Sequence, residues 1–318
     1  MNFGETVKAE IFAKLPKARP RRSAFLAGLI RGNGVLYETD DGYGLSFKIA
    51  GEERAFAVTE MIKSVFGFDV REIKVAEDRL HKREVAEINL TGGDADTVLK
   101  GLRIIEEKDG ETVVVGADEK VYGNDDLFRA YLRGLFVSAG SCTVPNLSGT
   151  VKTGYHLEIT FSHSSSCSLA LASLMKHGIN GSVTRRKESY VLYFKSAETI
   201  KDLIAFLPAP SSVLKFTDIM IGRELFNVTN RRKNCDLGNV NRQIEAQEKI
   251  IKAIDVIEKS GEKTKLSAEL IETADARKKY AEDSLSELCV RLNVSKSCLN
   301  HRLRKIAEIA ERITKENK

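Results

Sequence analysis

The chain has 318 residues, of which 42% are hydrophobic and 30% charged, enough to build two or three domains with cores of their own. No apolar run approaches the roughly 18 residues of a membrane-spanning helix, and no apolar segment precedes Pro16, so the sequence predicts neither a membrane span nor a signal peptide. The five cysteines are scattered and form no CxxC pair, which is typical of reduced thiols in a cytoplasmic protein.

The net charge of +5 is unevenly distributed along the chain. Residues 1–221 contain 29 Lys and Arg and 29 Asp and Glu, whereas residues 222–318 contain 21 and 16. The whole excess therefore lies in the last third of the chain. A basic segment of this kind favours a polyanionic partner.

The first 22 residues predict a short helix near residues 3–15 and then a basic arm at residues 19–22, with the sequence RPRR. We expect this arm either to be a solvated turn or to contact phosphate groups.

Two similar segments follow, 106 residues apart: AFLAGLIRGNG at residues 24–34 and AYLRGLFVSAG at residues 130–140. In both, a small residue occupies every fourth position. These are Ala24, Gly28, Gly32 and Ala130, Gly134, Ser138. On a helix this spacing forms one narrow face, where two backbones can come close together.

Hydrophobic periodicity predicts the same element order after each of these helices: two strands, a helix, two strands and a helix. In the first copy, Asp40-Asp41-Gly42 supplies the turn between the first two strands. The predicted elements cover residues 35–38, 44–50, 53–66, 70–75, 85–91 and 94–102 in the first copy, and 141–144, 156–162, 168–177, 182–187, 190–195 and 197–206 in the second. The sequence therefore predicts an α+β fold with a duplicated αββαββα unit.

The predicted domain plan has an N-terminal helix and arm at residues 1–22, subdomains at 23–105 and 128–221, and a linker at 106–127 with one short strand at 112–115. Residues 222–318 form an all-α C-terminal region. Within it, residues 213–259 are predicted to be mainly helical, with breaks at 230–234 and Gly238. An isoleucine stripe follows, which we interpret as core rather than as a dimer interface: Ile244, Ile250, Ile251, Ile254 and Ile257.

The last fifty residues predict three helices. The second begins with Ser284-x-x-Glu287, which is a capping-box pattern. Asn293-Val294 makes a tight break, and Ser295 can cap the third helix. Two helices joined by a short turn predict a helix-turn-helix at about residues 284–314, whose second helix can enter the major groove of double-stranded DNA.

The third predicted helix separates apolar from polar side chains. Its apolar stripe is Leu299, Leu303, Ile306, Ala310 and Ile313. The residues predicted to contact DNA are Ser295, Lys296, Ser297, Asn300, His301, Arg302, Arg304 and Lys305. Arg and Asn can recognise guanine and adenine, while Lys296, Arg302 and Lys305 suit phosphates. The alternative is an ordinary solvated basic face.

Residues 26–34 and 132–140 resemble the LAGLIDADG motif of homing endonucleases. The resemblance implies two subdomains that meet at paired motif helices above a saddle of strands. In active members the eighth motif residue is a carboxylate that holds divalent metal ions; here the matching residues are Asn33 and Ala139. They cannot supply the negative charge that Mg²⁺ requires. We therefore expect no catalytic residues, no metal and no nuclease activity.

The combination of a degenerate, duplicated LAGLIDADG domain and a C-terminal helix-turn-helix resembles the WhiA family of bacterial transcriptional regulators, which is associated with sporulation and cell division. The most similar segments are SLSEL at residues 284–288, VSKSCLNHRLRKI at 294–306 and NRRKNCD at 230–236. The resemblance implies a DNA-binding regulator of cell division, chromosome segregation or sporulation, located on the nucleoid.

Other chemistry is weakly indicated. His163 and Cys167 have the i, i+4 spacing of metal ligands, but no second pair lies near them in sequence, so helix-cap or core roles are the default. The glycine pairs are too short to form nucleotide-binding loops, so no cofactor is expected. Two alternatives stay open: an endonuclease that uses Asp40, Asp41 or Glu158, and a cell-division scaffold that binds a protein partner through its N-terminal domain.

Overall fold

The structure, a computed structural model, describes residues 2–40, 42–78, 83–146 and 154–316. Asp41, one of the carboxylates considered above, lies outside these ranges. Two compact units are present, Met1–Glu224 and Leu225–Lys318. The finer boundaries drawn from the sequence stay predictions. Within the described ranges, none of the helices combines the length and the apolar character needed to cross a membrane.

The first subdomain follows the predicted order. Its elements are α1 (Phe3–Ala13), α2 (Arg19–Asn33), β1 (Val35–Thr39), β2 (Gly42–Ala50), α3 (Glu52–Phe66), β3 (Glu72–Asp78), β4 (Arg83–Leu90) and α4 (Gly92–Gly101). The strands form an antiparallel sheet in the order β1-β2-β4-β3. Leu45 and Phe47 pair with Leu90 and Ile88, and all four are buried because alternate residues of a strand share one face.

The residues predicted as a basic arm form the first turn of α2 instead. Pro20 suits this position, where a helix does not need the missing N–H. Arg19 Nη2 donates to the Val65 carbonyl at 2.7 Å, and Arg22 Nε donates to the Pro16 carbonyl at 3.0 Å. Two of the arm's three arginines are therefore held against the chain's own backbone.

The predicted linker is largely ordered secondary structure. It contains a hairpin of β5 (Ile105–Lys108) and β6 (Glu111–Val114), followed by α5 (Glu119–Tyr122). The single short strand predicted there was therefore an underestimate. Asp109 and Gly110 adopt φ values of 55° and 83°, which suit the tight two-residue turn.

The second subdomain repeats the architecture of the first. Its elements are α6 (Asp125–Ala139), β7 (Gly140–Thr143), β8 (His156–Phe161), α7 (Ser164–Lys176), β9 (Ser182–Arg186), β10 (Ser189–Phe194) and α8 (Ala197–Phe206). The strand order is β7-β8-β10-β9, which matches the order of the first sheet. The predicted duplication and the α+β fold are confirmed.

The breaks predicted between residues 213 and 259 are absent: α9 (Pro210–Lys259) is one helix of 50 residues. The basic patch at residues 230–234 does not end it, because Arg and Lys are good helix formers. A side chain at Gly238 would meet nothing closer than Arg242 Nη2 at 3.8 Å, so this glycine marks neither a cap nor a close approach.

The second unit is all-α. After α9 come a 3-10 turn (Glu262–Lys265), α10 (Ala268–Lys279), α11 (Leu285–Leu292) and α12 (Lys296–Glu316). Ile254 and Ile257 are buried in its core with Leu270 and Leu288, whereas Ile244 is 47% exposed. The isoleucine stripe is therefore core at its C-terminal end and solvent-exposed at its N-terminal end.

Candidate nucleic-acid interface

The two motif helices, α2 and α6, pack backbone against backbone. A Cβ atom at Gly28 would overlap the carbonyl oxygen of Tyr131, and one at Gly134 would overlap that of Phe25. The predicted small-residue face is therefore the contact between the subdomains.

The ends of these helices carry Asn33 and Ala139, as the motif alignment requires. Asn33 Nδ2 donates to the Lys48 carbonyl at 2.6 Å, while its Oδ1 is buried without a hydrogen-bond partner among the described residues. Arg31 is turned towards backbone carbonyls, at 2.5 Å from Val115 O and 2.6 Å from Arg103 O. One neutral oxygen and a methyl group provide no charge for a divalent cation.

Glu158, one of the alternative nuclease carboxylates, already has two partners on its sheet. His156 Nε2 lies 3.1 Å and Arg186 Nη2 3.3 Å from its Oε2. Burial alone would raise the pKa of Glu158, but the hydrogen bonds from His156 and Arg186 outweigh it and hold that pKa below its ordinary value. The carboxylate is therefore ionised and neutralised by its neighbours.

His163 and Cys167 occupy positions that suit structural roles. His163 is the N-cap residue of α7, and Cys167 is fully buried one turn later. Burial raises the pKa of the Cys167 thiol to about 11. A neutral, buried thiol is neither a ready nucleophile nor a ready metal ligand.

The helix-turn-helix has the predicted start and turn. Ser284 N donates to Glu287 Oε2 at 2.7 Å, and Glu287 N donates to Ser284 Oγ at 3.3 Å, which completes the capping box. Asn293 ends α11 in the left-handed conformation, with φ 50° and ψ 45°. Ser295 Oγ then accepts from Cys298 N at 3.2 Å and caps α12.

The predicted apolar stripe fixes how α12 is oriented. Leu299, Leu303 and Ile306 are buried against the core of the second unit. The opposite side is exposed and contains most of the predicted DNA-contacting residues: Ser295, Lys296, Ser297, Asn300, His301, Arg304 and Lys305. Arg304 Nε lies 3.6 Å from Glu308 Oε1, but both side chains are more than 60% exposed, so the pair is weak and easily exchanged.

Arg302 differs from the other predicted residues. Its side chain is only 13% exposed and points to α10, where Nη2 and Nη1 lie 3.7 Å from carboxylate oxygens of Glu269 and Glu272. The sequence predicts a phosphate contact for Arg302, from its charge and its flexible side chain. In the structure this guanidinium therefore lies beside two carboxylates of α10.

A groove of about 540 Å³ runs along α12 and is closed by α9 and by the start of α11. Its lining includes Lys296, Asn300 and Arg304, which were predicted to contact DNA, and it adds Arg242 and Lys249 from α9. None of the described residues that line it is acidic. Arg242 and Lys249 were not predicted from the sequence, because only an unbroken α9 packed beside α12 brings them to this side.

Two models of known protein families match this chain, one for each of its two units. A family model described as the WhiA LAGLIDADG-like domain matches residues 22–88 and 128–225, and one described as the WhiA C-terminal HTH domain matches residues 229–310. The probable cell division protein WhiA of Clostridium acetobutylicum is 31% identical over 325 residues, and that of Enterococcus faecalis is 32% identical over 320. Both alignments cover 100% of each chain.

Among solved structures, the crystal structure of full-length DUF199/WhiA from Thermotoga maritima is similar in fold. It is 24% identical in sequence, with a TM-score of 0.56, and the match covers 98% of this chain and 99% of that one. With both family models matched in order and with relatives aligned over the full length, this chain belongs to the WhiA family.

Proposed function

We propose that this protein is a sequence-specific regulator of transcription that binds double-stranded DNA through α12 and acts in cell division, chromosome segregation or sporulation, at the nucleoid. The observation that carries the proposal is the exposed side of α12. There Asn300 and Arg304 stand between Lys296 and Lys305, and no carboxylate occurs from residue 295 to residue 307.

The side chains divide by chemistry into two groups. Arg304 can donate two parallel hydrogen bonds to guanine, and Asn300 can donate to and accept from adenine. Lys296 and Lys305, whose charges are mobile and exposed, suit phosphates, which fix the register of the helix without reading sequence. Arg242 and Lys249 extend the positive surface beside α12.

Arg302 is left out of the proposed contact set, since Glu269 and Glu272 hold its guanidinium on the protein side. We assign it to the packing of α12 on α10.

The proposal is tested by enrichment of full-length protein on a random duplex pool at physiological salt. A single enriched sequence motif is expected. Asn300→Ala should relax the base preference at one or two positions of that motif. Enrichment of no motif, with tight binding to all duplexes, would contradict sequence-specific regulation.

We further propose that nuclease activity has been lost with the motif carboxylates. Asn33 and Ala139 stand where the two acids would meet, and Glu158 is already paired with His156 and Arg186. Supercoiled plasmid incubated with the protein and Mg²⁺ or Mn²⁺ should stay supercoiled. Nicking that follows the pure protein and disappears in Glu158→Gln would establish the endonuclease alternative.

A second candidate function is a cell-division scaffold whose N-terminal domain binds a protein partner. The relatives are named probable cell division proteins, which favours a role in division without specifying DNA. Chromatin immunoprecipitation separates the two functions: reproducible promoter peaks that Arg304→Ala abolishes support regulation, and their absence supports the scaffold.

A further inference from the structure

The groove beside α12 has an apolar floor as well as a charged rim. The floor is formed by Ile250 of α9, Leu285 of α11, and Leu303 and Ala307 of α12. Leu303 is only 6% exposed, and the other three are half-buried. The volume of about 540 Å³ is within the range of sites that enclose most of a ligand's surface. The second unit therefore has an apolar recess next to its proposed DNA-binding helix.

Cationic side chains surround this floor. Arg242 and Lys249 lie on the α9 side, and Lys296 and Arg304 lie on the α12 side. All four are exposed, and within the described chain Arg242, Lys249 and Lys296 form no ion pair with a carboxylate. An occupant of the groove must therefore bring negative charge to the rim and apolar groups to the floor.

Two polar side chains of the lining fix the position of α9 beside α11. Gln247 Nε2 donates to the Asp283 carbonyl at 3.2 Å, and Arg277 Nη1 donates to the same carbonyl at 2.9 Å. The residue that precedes the capping box of α11 is thereby bonded to both α9 and α10. The groove is held open by its own contacts, so an occupant does not have to order it on binding.

The shape of the groove matches one face of a helix. Along α12 its lining follows Lys296, Asn300, Leu303 and Ala307. These residues stand at i, i+4, i+7 and i+11, which extends over about 16 Å, or three helical turns. A partner helix presents side chains at the same spacing on one face, and such a face can lie in a groove between two helices.

Double-stranded DNA matches only the rim. Its phosphates suit the cations, but apart from the thymine methyl groups its base edges are polar, so the floor would find little to contact. His301 and Lys305 are exposed on a part of α12 that does not line the groove. Contacts of those two residues with DNA would leave the apolar floor without a function.

We propose that this groove binds an acidic amphipathic helix of a protein partner, and that the bound helix covers Asn300 and Arg304 and so competes with DNA. Aliphatic side chains of the partner would lie on Ile250, Leu285 and Leu303, while its Asp and Glu residues face the rim cations. The competition rests on the proposed DNA binding by α12, whereas the binding of the helix does not.

The test is a titration of the full chain, without DNA, against a labelled synthetic helix of about 14 residues with leucine at i, i+4, i+7 and i+11 and glutamate on either side. Fluorescence anisotropy should show saturable binding. Two control peptides should each bind at least about ten-fold more weakly. One scatters the same leucines around the helix, and the other replaces glutamate with lysine. Absence of binding, or equal binding of either control, would overturn the proposal.

Variants of α9 locate the bound helix. Ala246→Phe fills the groove from an exposed position without changing its charge, so it should weaken the acidic peptide at least about ten-fold. Lys249→Ala should weaken it roughly three-fold, the effect of one exposed charge. Lys252→Ala is the matched control, because this lysine of α9 does not line the groove and pairs with Glu248 at 3.7 Å. Unchanged affinity in an Ala246→Phe protein that melts at the wild-type temperature would contradict binding in the groove.

Competition is measured separately. Excess acidic peptide should release a labelled duplex from the wild-type protein, and the scattered-leucine peptide should not. A peptide that binds in the groove while the duplex stays bound would refute the competition. If the protein bound no duplex at all, the proposed function would fail, while the titration without DNA would still decide whether the groove binds the helix.

Discussion

Gly28 and Gly134 face each other where α2 and α6 pack, and neither position has room for a methyl group. A Cβ atom on Gly28 would overlap the Tyr131 carbonyl oxygen, and one on Gly134 would overlap the Phe25 carbonyl oxygen. The packing face of the motif is thus intact, although Asn33 and Ala139 have replaced its acids. In this chain the motif joins two subdomains.

We expect Gly28→Ala and Gly134→Ala each to lower the free energy of unfolding by about 3 kcal/mol or more, because the obstacle is rigid backbone that cannot rotate away. Urea denaturation measures the change. Gly93→Ala is the matched control, since a Cβ there meets nothing within 4 Å and α4 should gain slightly from alanine. Gly28→Ala with wild-type stability would show that the helices are not in close contact.

The duplicated fold was predictable because each copy repeats its own periodicity and turn residues, and the capping box at Ser284 marks the start of α11 within one residue. The length of α9 was not predictable from the sequence. A polar, basic stretch and a glycine such as Gly238 occur both in loops and in exposed helices, so they do not distinguish the two. A small cavity of the first unit, lined by Ile30, Tyr131 and Phe161 among others, could not be predicted either. Its walls come from segments more than one hundred residues apart, and their meeting depends on tertiary packing.

The candidate DNA-binding helix α12 was also predictable only in part. The spacing of Leu299, Leu303 and Ile306 was enough to predict which side of α12 is buried. It could not predict the direction of Arg302, whose partners Glu269 and Glu272 lie on another helix. Patterns along one helix define a face, whereas ion pairs depend on the neighbouring elements.

Base recognition should be separable from phosphate binding on α12. Asn300→Ala and Arg304→Ala are each expected to weaken binding to the preferred site by about 1–3 kcal/mol and to relax the preference at one position. Lys305→Ala should weaken binding to all sequences alike and lower the salt slope by about one. Fluorescence anisotropy on preferred and random duplexes over a salt series measures both. Identical losses on both duplexes from all three variants would mean that α12 reads no bases.

Arg302→Ala should affect the stability of the fold and not DNA binding, in contrast to the other α12 variants. We expect it to reduce stability by about 1 kcal/mol, because its largely buried side chain packs against α10, and to leave the salt slope unchanged. Denaturation and DNA titration on the same sample compare the two effects. If Arg302→Ala had wild-type stability and a smaller salt slope, Arg302 would be a phosphate contact after all.

Glu10 links α1 to the first turn of α9. Its Oε1 accepts from Ser211 N at 2.9 Å, and its Oε2 accepts from Ser212 N at 2.8 Å. Although burial alone would raise the pKa of Glu10, these bonds from Ser211 and Ser212 outweigh it and lower that pKa from 4.5 to about 2.

Because the pKa is lower in the folded chain, the stability from Glu10 is complete above about pH 4.5 and is lost as the pH falls towards 2. Glu10→Gln should lower the free energy of unfolding by about 1–2 kcal/mol at pH 7, as loss of a helix cap does. The difference from wild type should shrink on acidification across that window. A difference that stays constant from pH 7 to pH 3 would contradict the assignment.

The most direct test of sequence-specific recognition by α12 is a DNase I footprint on an enriched duplex, comparing full-length wild type with the Asn300→Ala, Arg304→Ala double variant. We predict a discrete protected site for the wild type and its loss in a double variant that melts at the wild-type temperature. Unchanged protection by the double variant would contradict the account, since base recognition would then lie outside α12.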